Sequence, residues 1–523
     1  MDSNFSNLLQ KIKYLLNKKI NFSKLFKVNK SVSSKLSTLS NQSKVELTTP
    51  DTLPGRLSSL DALRGMNMLF ILGVSMIIYQ ICSIKIDDFL VFNYIPDSIY
   101  KLLRWVYETH SIKWLANQMF HVYWTGCSID DMVLPSFIFV AGVSLAFSIS
   151  KSLSKGESKQ KIYLKIIKRT FLLFIAGILY NNGLSLDWPN IRWMGVLQRI
   201  GLSLLLAGGI YIVFFKRMKI LVSSFIVLIV SYWLFLCLVP AFDSVPSSEY
   251  KLSSFIKRGK DLFKLRKVAL FTASYTPSVR DKEYPKPGSL DYNLLPEGNI
   301  VNWIDRTILP GKLFCDTANL RARVKGQFDP AVYRKLRDPE GLGSSIGSML
   351  TALLGLIVGA LMSTPPSFIS DRRKLIYLLS ISLLLIGVGY LWHQIFPVNK
   401  QIWSSSFICF SGGWACLMFS ILYWIMDICG YKKWAFPFTL AGLNSLAIYL
   451  ARKMIGFNNL TNFWFGDLIP RIVPHKKIVF SMGEKAIIET RVFVNICMDS
   501  ATVLICVLIL WWLYKKKIFL RFR

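Results

Sequence analysis

Apolar residues in this chain are concentrated in ten stretches of roughly 20 residues, separated by polar segments. A helix of that length crosses a hydrocarbon core of roughly 30 Å. The pattern therefore predicts an all-α, polytopic membrane bundle of about ten transmembrane helices. The predicted spans are residues 65–84, 132–150, 170–186, 196–215, 220–241, 343–362, 375–394, 402–428, 434–451 and 492–514.

The two ends of the chain are polar and basic. Residues 1–55 are rich in Lys, Ser and Asn and lack the apolar core of a secretory signal, so they predict a cytoplasmic tail. Within it, the stretch Leu8–Phe26 is a candidate amphipathic segment for the membrane surface. Residues 516–523 form a second basic tail, and the membrane domain predicted between the tails, residues 56–515, includes a long extracytoplasmic loop over 242–342.

Composition supports the membrane assignment and narrows the partners. Apolar residues make up 53% of the 523 positions, which is typical of membrane proteins. The excess of 63 Lys and Arg over 30 Asp and Glu would indicate nucleic acid in a soluble protein. In a membrane protein it is typical of loops facing anionic lipid, so we predict a lipid partner and no nucleic acid. Nine cysteines without a CxxC pair predict no metal site.

Basic residues in the short connections predict the orientation, because Lys and Arg resist translocation. Seven lie in residues 151–169 and five follow Tyr514. If the spans alternate in direction, these two segments lie on the same side of the membrane. The opposite connections 187–195 and 395–402 hold one each, Arg192 and Lys400. Both termini are therefore predicted to be cytoplasmic, and residues 85–131 to be outside. We expect the second half of the 242–342 loop to fold against the outer face of the bundle.

His121 is the strongest candidate for catalysis. It lies just before the second predicted span, on the outer side, and is followed by Asp130 and Asp131 at the helix entry. An imidazole titrates near neutrality, so it can take a proton from an attacking amine or hydroxyl and return it. Two structural alternatives stay open: His121 as part of an aromatic belt, and the aspartates as helix caps.

Three further charged or polar side chains lie at or near membrane depth. Arg64 is three residues after Asp61, a spacing that allows an ion pair, although an arginine there could also receive a phosphate. Gln198 and Arg199 lie near the outer end of an apolar helix, where a charge is either functional or reaches back to the interface.

Several separated motifs together resemble one family. They are SLDALRG, HVYWTG followed by DMVLPSFIFVAGVSLAFS, NIRWMGVLQRIG, GNIVNWIDRTILPGKLF, DPEGLGSS, PVNKQIWSSSFICFSGGW and KKWAFPFTLAGLNSLAIYL. In this order they are similar to the transmembrane acyltransferases related to heparan-alpha-glucosaminide N-acetyltransferase, and most of all to the bacterial branch. The resemblance covers about residues 56–515.

The resemblance implies an enzyme that takes an acetyl group from cytosolic acetyl-CoA, as co-substrate, and delivers it to an amino sugar across the membrane. The family's active-site histidine matches His121. The asparagine that follows the first Arg-Gly motif in the lysosomal enzyme falls on Ser75, and RARVKGQFDPAVYRKLR is an unusual basic insertion, so the acceptor is not carried over.

Our leading hypothesis is transmembrane acyl transfer to an amino-sugar or polysaccharide acceptor, in an inner cell membrane. His121 would act as the base and Asp131 would assist it, Gln198 or Asn302 would stabilise the oxyanion, with Arg199 at the substrate, and Arg64 would bind the cofactor. A homodimer is one candidate assembly. Two rivals remain: a transporter or flippase for a sugar-linked substrate, and an inactive family member.

Overall fold

The computed structural model describes residues 57–84, 110–122, 124–181, 191–243, 251–266, 270–271, 286, 289–296, 298–314, 338–473, 476–481, 484–489 and 492–519. The N-terminal tail, the insertion within 315–337 and the C-terminal four residues lie outside this set. Sixteen helices and one hairpin occur in the described part: α1 Ser58–Cys82, α2 His110–Gln118, α3 Asp130–Ser154, α4 Lys159–Tyr180, α5 Val196–Val213, α6 Met218–Leu238, α7 Leu252–Lys260, α8 Leu290–Asn293, α9 Ile300–Ile308, α10 Leu342–Met362, α11 Asp371–His393, α12 Ser405–Ile428, α13 Lys433–Leu443, α14 Ser445–Phe465, α15 Leu468–Ile472, β1 Lys476–Ser481, β2 Glu484–Glu489 and α16 Val492–Lys515.

Eight of these helices are long and apolar enough to cross a membrane. Helices α13 and α14, which meet at Asn444 with a bend of 61°, make a ninth candidate if they form one broken span. The all-α membrane bundle is thereby confirmed. The predicted span 170–186 is not among these candidates in the described part of the chain. Helix α4 begins there at Lys159 and carries Lys165, Lys168 and Arg169 in its middle.

Some of the described helices begin at a capping side chain. Ser158 accepts a hydrogen bond from the Lys161 amide at the start of α4, and Ser404 accepts one from Phe407 at the start of α12. Such caps satisfy amides that have no partner within the helix. Ser404 explains why the span predicted from residue 402 begins at Ser405.

Helix α10 is the most buried of the candidate spans, and α3 packs against it along small residues. A Cβ atom placed on Gly355 of α10 would lie 2.2 Å from the Phe139 carbonyl oxygen of α3. Membrane helices that lack a hydrophobic driving force associate through such close backbone contacts. Helices α11 and α16 are the least buried.

The long loop after α6 returns to the bundle in its second half, as predicted. Asn293 donates a hydrogen bond to the Cys237 carbonyl at the end of α6. Gly311 pairs with Arg192 ahead of α5, and the Gly343 amide at the start of α10 donates to Asp305 of α9. These contacts fix α9 over the N-terminal ends of α5 and α10. The Cys127 thiol is free.

Candidate functional site

Three charged groups meet around one nitrogen of His121. Its Nδ1 lies 3.0 Å from Oδ1 of Asp131, 3.1 Å from Oδ2 of Asp130 and 3.1 Å from Nζ of Lys400. The Lys400 ammonium is also 3.0 Å from Oδ1 of Asp131. The His121 side chain is 57% exposed whereas the Asp131 side chain is fully buried. One edge of the imidazole is therefore held by charge, and the rest is open to an incoming molecule.

Asp131 is fixed by the start of α3. Its Oδ2 accepts hydrogen bonds from the amides of Val122 and Ser128 and from the Ser128 hydroxyl. The Asp131 amide donates back to Ser128 Oγ at 3.2 Å. This is the reciprocal arrangement of a capping box, so the predicted capping role is confirmed. The free oxygen of the same carboxylate faces His121, so capping and contact with the imidazole coexist.

Lys400 comes from a turn ahead of α12 that packs against the His121 segment. The Gly126 amide donates to the Val398 carbonyl at 2.8 Å. Asn399 Oδ1 accepts from the amides of Gln401 and Ile402, and this fixes the turn that carries Lys400. Gly126 has φ of +109°, which glycine adopts without strain. The sequence analysis treated Lys400 only as a charge in a short connection. Its position in the PVNKQIW motif was the signal that could have indicated a functional role.

Helix α1 is irregular where it passes this cluster. Residues Phe70–Val74 form a widened turn with φ of +127° at Gly73, and Arg452 donates to the Ile71 carbonyl exposed there. Ser75, just beyond it, donates to the Phe70 carbonyl and hydrogen-bonds Asp130. Widened turns of this kind are frequent at functional sites. The residue at which the chain departs from the family pattern therefore lies beside His121's acidic partners.

A second charged cluster lies behind Lys400. Arg192 contacts the carboxylates of Asp338 and Glu340, two residues of the DPEGLGSS motif. Burial opposes ionisation of Glu340, but Arg192, then Arg199 and Lys400, hold its pKa at about 2. The Glu340 carboxylate is thus ionised and interacts electrostatically with charges of both clusters.

Arg199 does not reach back to the interface. It is fully buried, donates to the Pro339 carbonyl and to Ser344 Oγ, and lies over the Trp403 ring at 4.7 Å. Arg199 is therefore held among protein groups and is not extended along the surface of its helix. A guanidinium with these contacts joins α5 to the start of α10 and to the Lys400 turn.

Gln198 is buried in a slot between glycines. The side chain is 1% exposed, and among the residues that the structure describes neither its Nε2 nor its Oε1 has a hydrogen-bond partner. A Cβ atom on Gly177 would fall 2.1 Å from Oε1, so the missing side chain makes the slot. A buried amide without a partner is costly and needs an explanation such as a ligand.

The remaining two predicted site residues have structural contacts. Asn302 is buried and donates to the Pro296 carbonyl, which holds the loop before α9. Arg64 pairs with Asp61 at 3.3 Å, as its spacing predicts, and donates to Ser144 at 2.6 Å. At 1.5 Å per residue, Arg64 is roughly 16 Å along α1 from Ser75. The structure thus brings His121 and Asp131 together and separates Arg64 from them.

Within the described ranges, no group of three or more His, Cys, Asp or Glu side chains is arranged to hold a metal ion.

No family model matches the chain. Heparan-alpha-glucosaminide N-acetyltransferase of Mus musculus is 26% identical to it over 357 residues, which are 64% of this chain and 49% of the mouse protein. The Homo sapiens protein of the same name is 23% identical over 370 residues, 64% of this chain and 48% of the human one. The chain spans about half the length of these curated relatives. It is a multi-pass membrane protein distantly related to them.

Proposed function

We propose that this distant relative of heparan-alpha-glucosaminide N-acetyltransferase is a membrane-bound acyltransferase. It moves an acyl group, acetyl in the simplest case, from cytosolic acyl-CoA to an amino sugar or another glycan on the opposite face. The observation that carries the proposal is the exposed imidazole of His121 set against the buried carboxylate of Asp131. That pair is the arrangement of a general base with the group that orients it.

The chemistry follows from that arrangement. When Nδ1–H donates to Asp131, the Nε2 lone pair is available to an acceptor. His121 takes the proton of the attacking amine or hydroxyl while the acceptor's nitrogen or oxygen bonds to the thioester carbonyl carbon. The C–S bond then breaks, and the imidazolium returns the proton to the sulfur, so that CoA leaves as a thiol. Asp131 stabilises the imidazolium in between.

Gln198 supports a substrate-binding role near the outer ends of α4 and α5. Its amide offers a donor nitrogen and an acceptor oxygen, and neither atom has a partner among the described residues. A substrate carbonyl or hydroxyl that enters the slot would satisfy them, which favours the bound state. Arg199 would hold this region in place, while Asn302 acts through the loop before α9.

The donor's phosphates fit the other end of the bundle. Arg64 lies near Ser144 and within electrostatic range of Arg169. Asp61 already pairs with Arg64, but two neighbouring guanidiniums are stabilised by a further anion, and arginine binds phosphate through paired N–H groups. Only the narrow pantetheine arm would then extend towards His121.

The orientation belongs to the same proposal. In this proposal both termini are cytoplasmic and His121 lies outside, as the basic connections favour, in an inner cell membrane with anionic lipid against the basic face. A homodimer is the assembly we favour for testing.

Proteoliposomes test the proposal directly. We would enclose glucosamine-type acceptors in the vesicles, add acetyl-CoA outside, and follow free CoA with a thiol reagent. Release is expected only when donor and acceptor occupy opposite sides. Acceptor flux without CoA release would identify a transporter, and no release across a broad acceptor panel would reject the enzyme.

The variant His121→Ala is expected to abolish release. Phe120→Ala is the matched control, because Phe120 is the exposed neighbour of His121 and contacts Tyr79 rather than the charged cluster. Normal turnover of His121→Ala would remove the catalytic assignment even if acyl transfer were observed.

A further inference from the structure

Lys400 contributes a charge that the acyl-transfer scheme does not yet use. Its ammonium touches both His121 Nδ1 and Asp131 Oδ1, at 3.1 and 3.0 Å. The residue is only 9% exposed, and its turn is fixed by Asn399. A lysine at this depth is costly unless it is paired, so its position is specific.

The charges around the imidazole explain what Lys400 can do. Asp130 and Asp131 face Nδ1 with two negative charges, and Lys400 adds one positive charge. With a neutral imidazole the cluster therefore carries about one negative charge, and an imidazolium brings it to zero. Without Lys400 two negative charges would face the ring and would favour a proton on it before any acceptor arrives.

Glu340 is a further charge to consider beyond these three groups, because Lys400 contributes to the low pKa of its carboxyl. Arg192 and Arg199 already compensate Glu340, so its effect on the ring is small beside that of the three contacting groups. Cys127 also senses Asp131 and Lys400, but burial raises the pKa of its thiol, which stays neutral. Among the described residues, the charge balance at His121 is thus set by Asp130, Asp131 and Lys400.

We propose that Lys400 is a positioning residue whose ammonium offsets one of the two carboxylates beside His121, so that the imidazole stays free to accept a proton from the acceptor. The proposal rests on the proposed role of His121 as a base. It also assigns the PVNKQIW turn a function, as the carrier of that charge.

A chemical readout tests this independently of acyl transfer. Diethylpyrocarbonate reacts with neutral imidazole, and the exposed His121 ring is accessible to it. We would measure its rate at the His121 peptide by mass spectrometry from pH 5 to 9, in the detergent-solubilised full chain. Lys400→Met is expected to move the midpoint to higher pH by about one unit or more. Lys400→Arg, which keeps the charge, should leave it within a few tenths of a unit.

Two further variants keep the test decisive. Asp130→Asn removes a carboxylate and should move the midpoint to lower pH, and the double variant Asp130→Asn with Lys400→Met should return it towards wild type. If Lys400→Met does not yield folded protein, the double variant and Asp130→Asn still report the sign. An unchanged midpoint in folded Lys400→Met, or a shift to lower pH, overturns the proposal.

The outcome separates this inference from the enzyme hypothesis. Shifted midpoints without any CoA release in the wild type would leave the charge balance standing and reject acyl transfer. CoA release with an unchanged midpoint in Lys400→Met would support acyl transfer and reject the proposed role of Lys400. Where both hold, the acid limb of the kcat/KM profile should follow the labelling midpoint in each variant.

Discussion

Asp131 joins two tasks in one carboxylate. Its Oδ2 caps α3, through Ser128 and Val122, and its Oδ1 faces His121 and Lys400. The cap holds the carboxylate in one orientation, and this in turn holds the ring nitrogen at 3.0 Å. A catalytic group whose partner is already rigid loses little freedom when the substrate binds.

Replacing this carboxylate by an amide tests its contribution to turnover. Asp131→Asn keeps the size but removes the charge that stabilises an imidazolium, so kcat should fall by about 10²–10⁴-fold with a smaller change in KM. The rate of CoA release measures it. Asp243→Asn, which alters an exposed carboxylate paired with Arg306, is the control and should be near wild type. Equal effects of the two substitutions would argue against a catalytic Asp131.

Asp305 gives the fold a pH dependence of its own. Burial is the main reason that its pKa rises from 3.8 to about 7, although the Gly343 amide and Arg199 oppose the rise. The folded carboxyl therefore keeps a proton that the unfolded chain releases. The stability it contributes is complete below about pH 4 and is lost as pH rises through 7.

Asp305→Asn should remove that loss. The amide oxygen can still accept from Gly343, whereas no charge forms at high pH. We expect the variant to gain on wild type between pH 5 and 8, by at most about 4 kcal/mol. Unfolding midpoints followed by tryptophan fluorescence across this range measure the difference. A constant difference between the two proteins at every pH would contradict the role of ionisation.

The sequence alone identified His121 and Asp131 as candidates but did not identify Lys400, which contacts both of them. Those two residues lie ten positions apart, ahead of an apolar stretch, so their chemistry is visible locally. Lys400 is 269 positions from Asp131 and arrives through the packing of two loops. Arg192 and Glu340 meet in the same way, 148 positions apart. Local pattern contains no information on which loops meet.

Among the elements, α1 and α13 cross in close contact at two glycines. A Cβ on Gly65 would lie 1.6 Å from the Phe438 carbonyl oxygen, and one on Gly442 would lie 1.9 Å from that of Asp61. In both cases the added Cβ would clash with a backbone atom, which cannot rotate away as a side chain can. The crossing also fixes the Asp61–Arg64 pair, since both residues lie on this turn of α1.

Alanine at either crossing glycine should therefore separate the helices. Gly65→Ala and Gly442→Ala are each expected to cost about 1–3 kcal/mol or more, seen as a lower unfolding midpoint. Gly387→Ala in α11 is the matched control, because nothing lies within 4 Å of its Cβ. There the substitution should be neutral or stabilise the helix by up to about 1 kcal/mol. Equal behaviour at the three positions would refute the crossing.

Hydropathy located the spans well and their ends less well. The predicted span 343–362 matches α10 within one residue, because Gly341 and a polar segment precede it. The span 65–84 begins seven residues early in the structure, since the polar turn SSLDALR is helical too. The span 434–451 is part of a bent pair, because Asn444 interrupts the helix and the chain continues to Phe465. Polar helical turns and breaks depend on tertiary partners, which hydropathy does not report.

At the scale of the whole molecule, the proposed function requires that the two charged ends of the bundle face different compartments. Arg64 and the connection 151–169 would meet the donor, and His121 would meet the acceptor. The thioester's nucleotide cannot enter lipid, so a membrane enzyme gains only if its base lies on the far side.

Two cysteine positions test this orientation. Cys429 is exposed after α12, at the end we assign to the cytoplasm, and Asp243 is exposed after α6, at the end we assign to the outside. In intact cells that express Asp243→Cys, a membrane-impermeant maleimide should label position 243 and should reach Cys429 only after permeabilisation, as read by peptide mass spectrometry. Labelling in the opposite order would place His121 beside the donor. The acyl group would then have no membrane to cross, and the transmembrane mechanism would fail even if the His121 chemistry were correct.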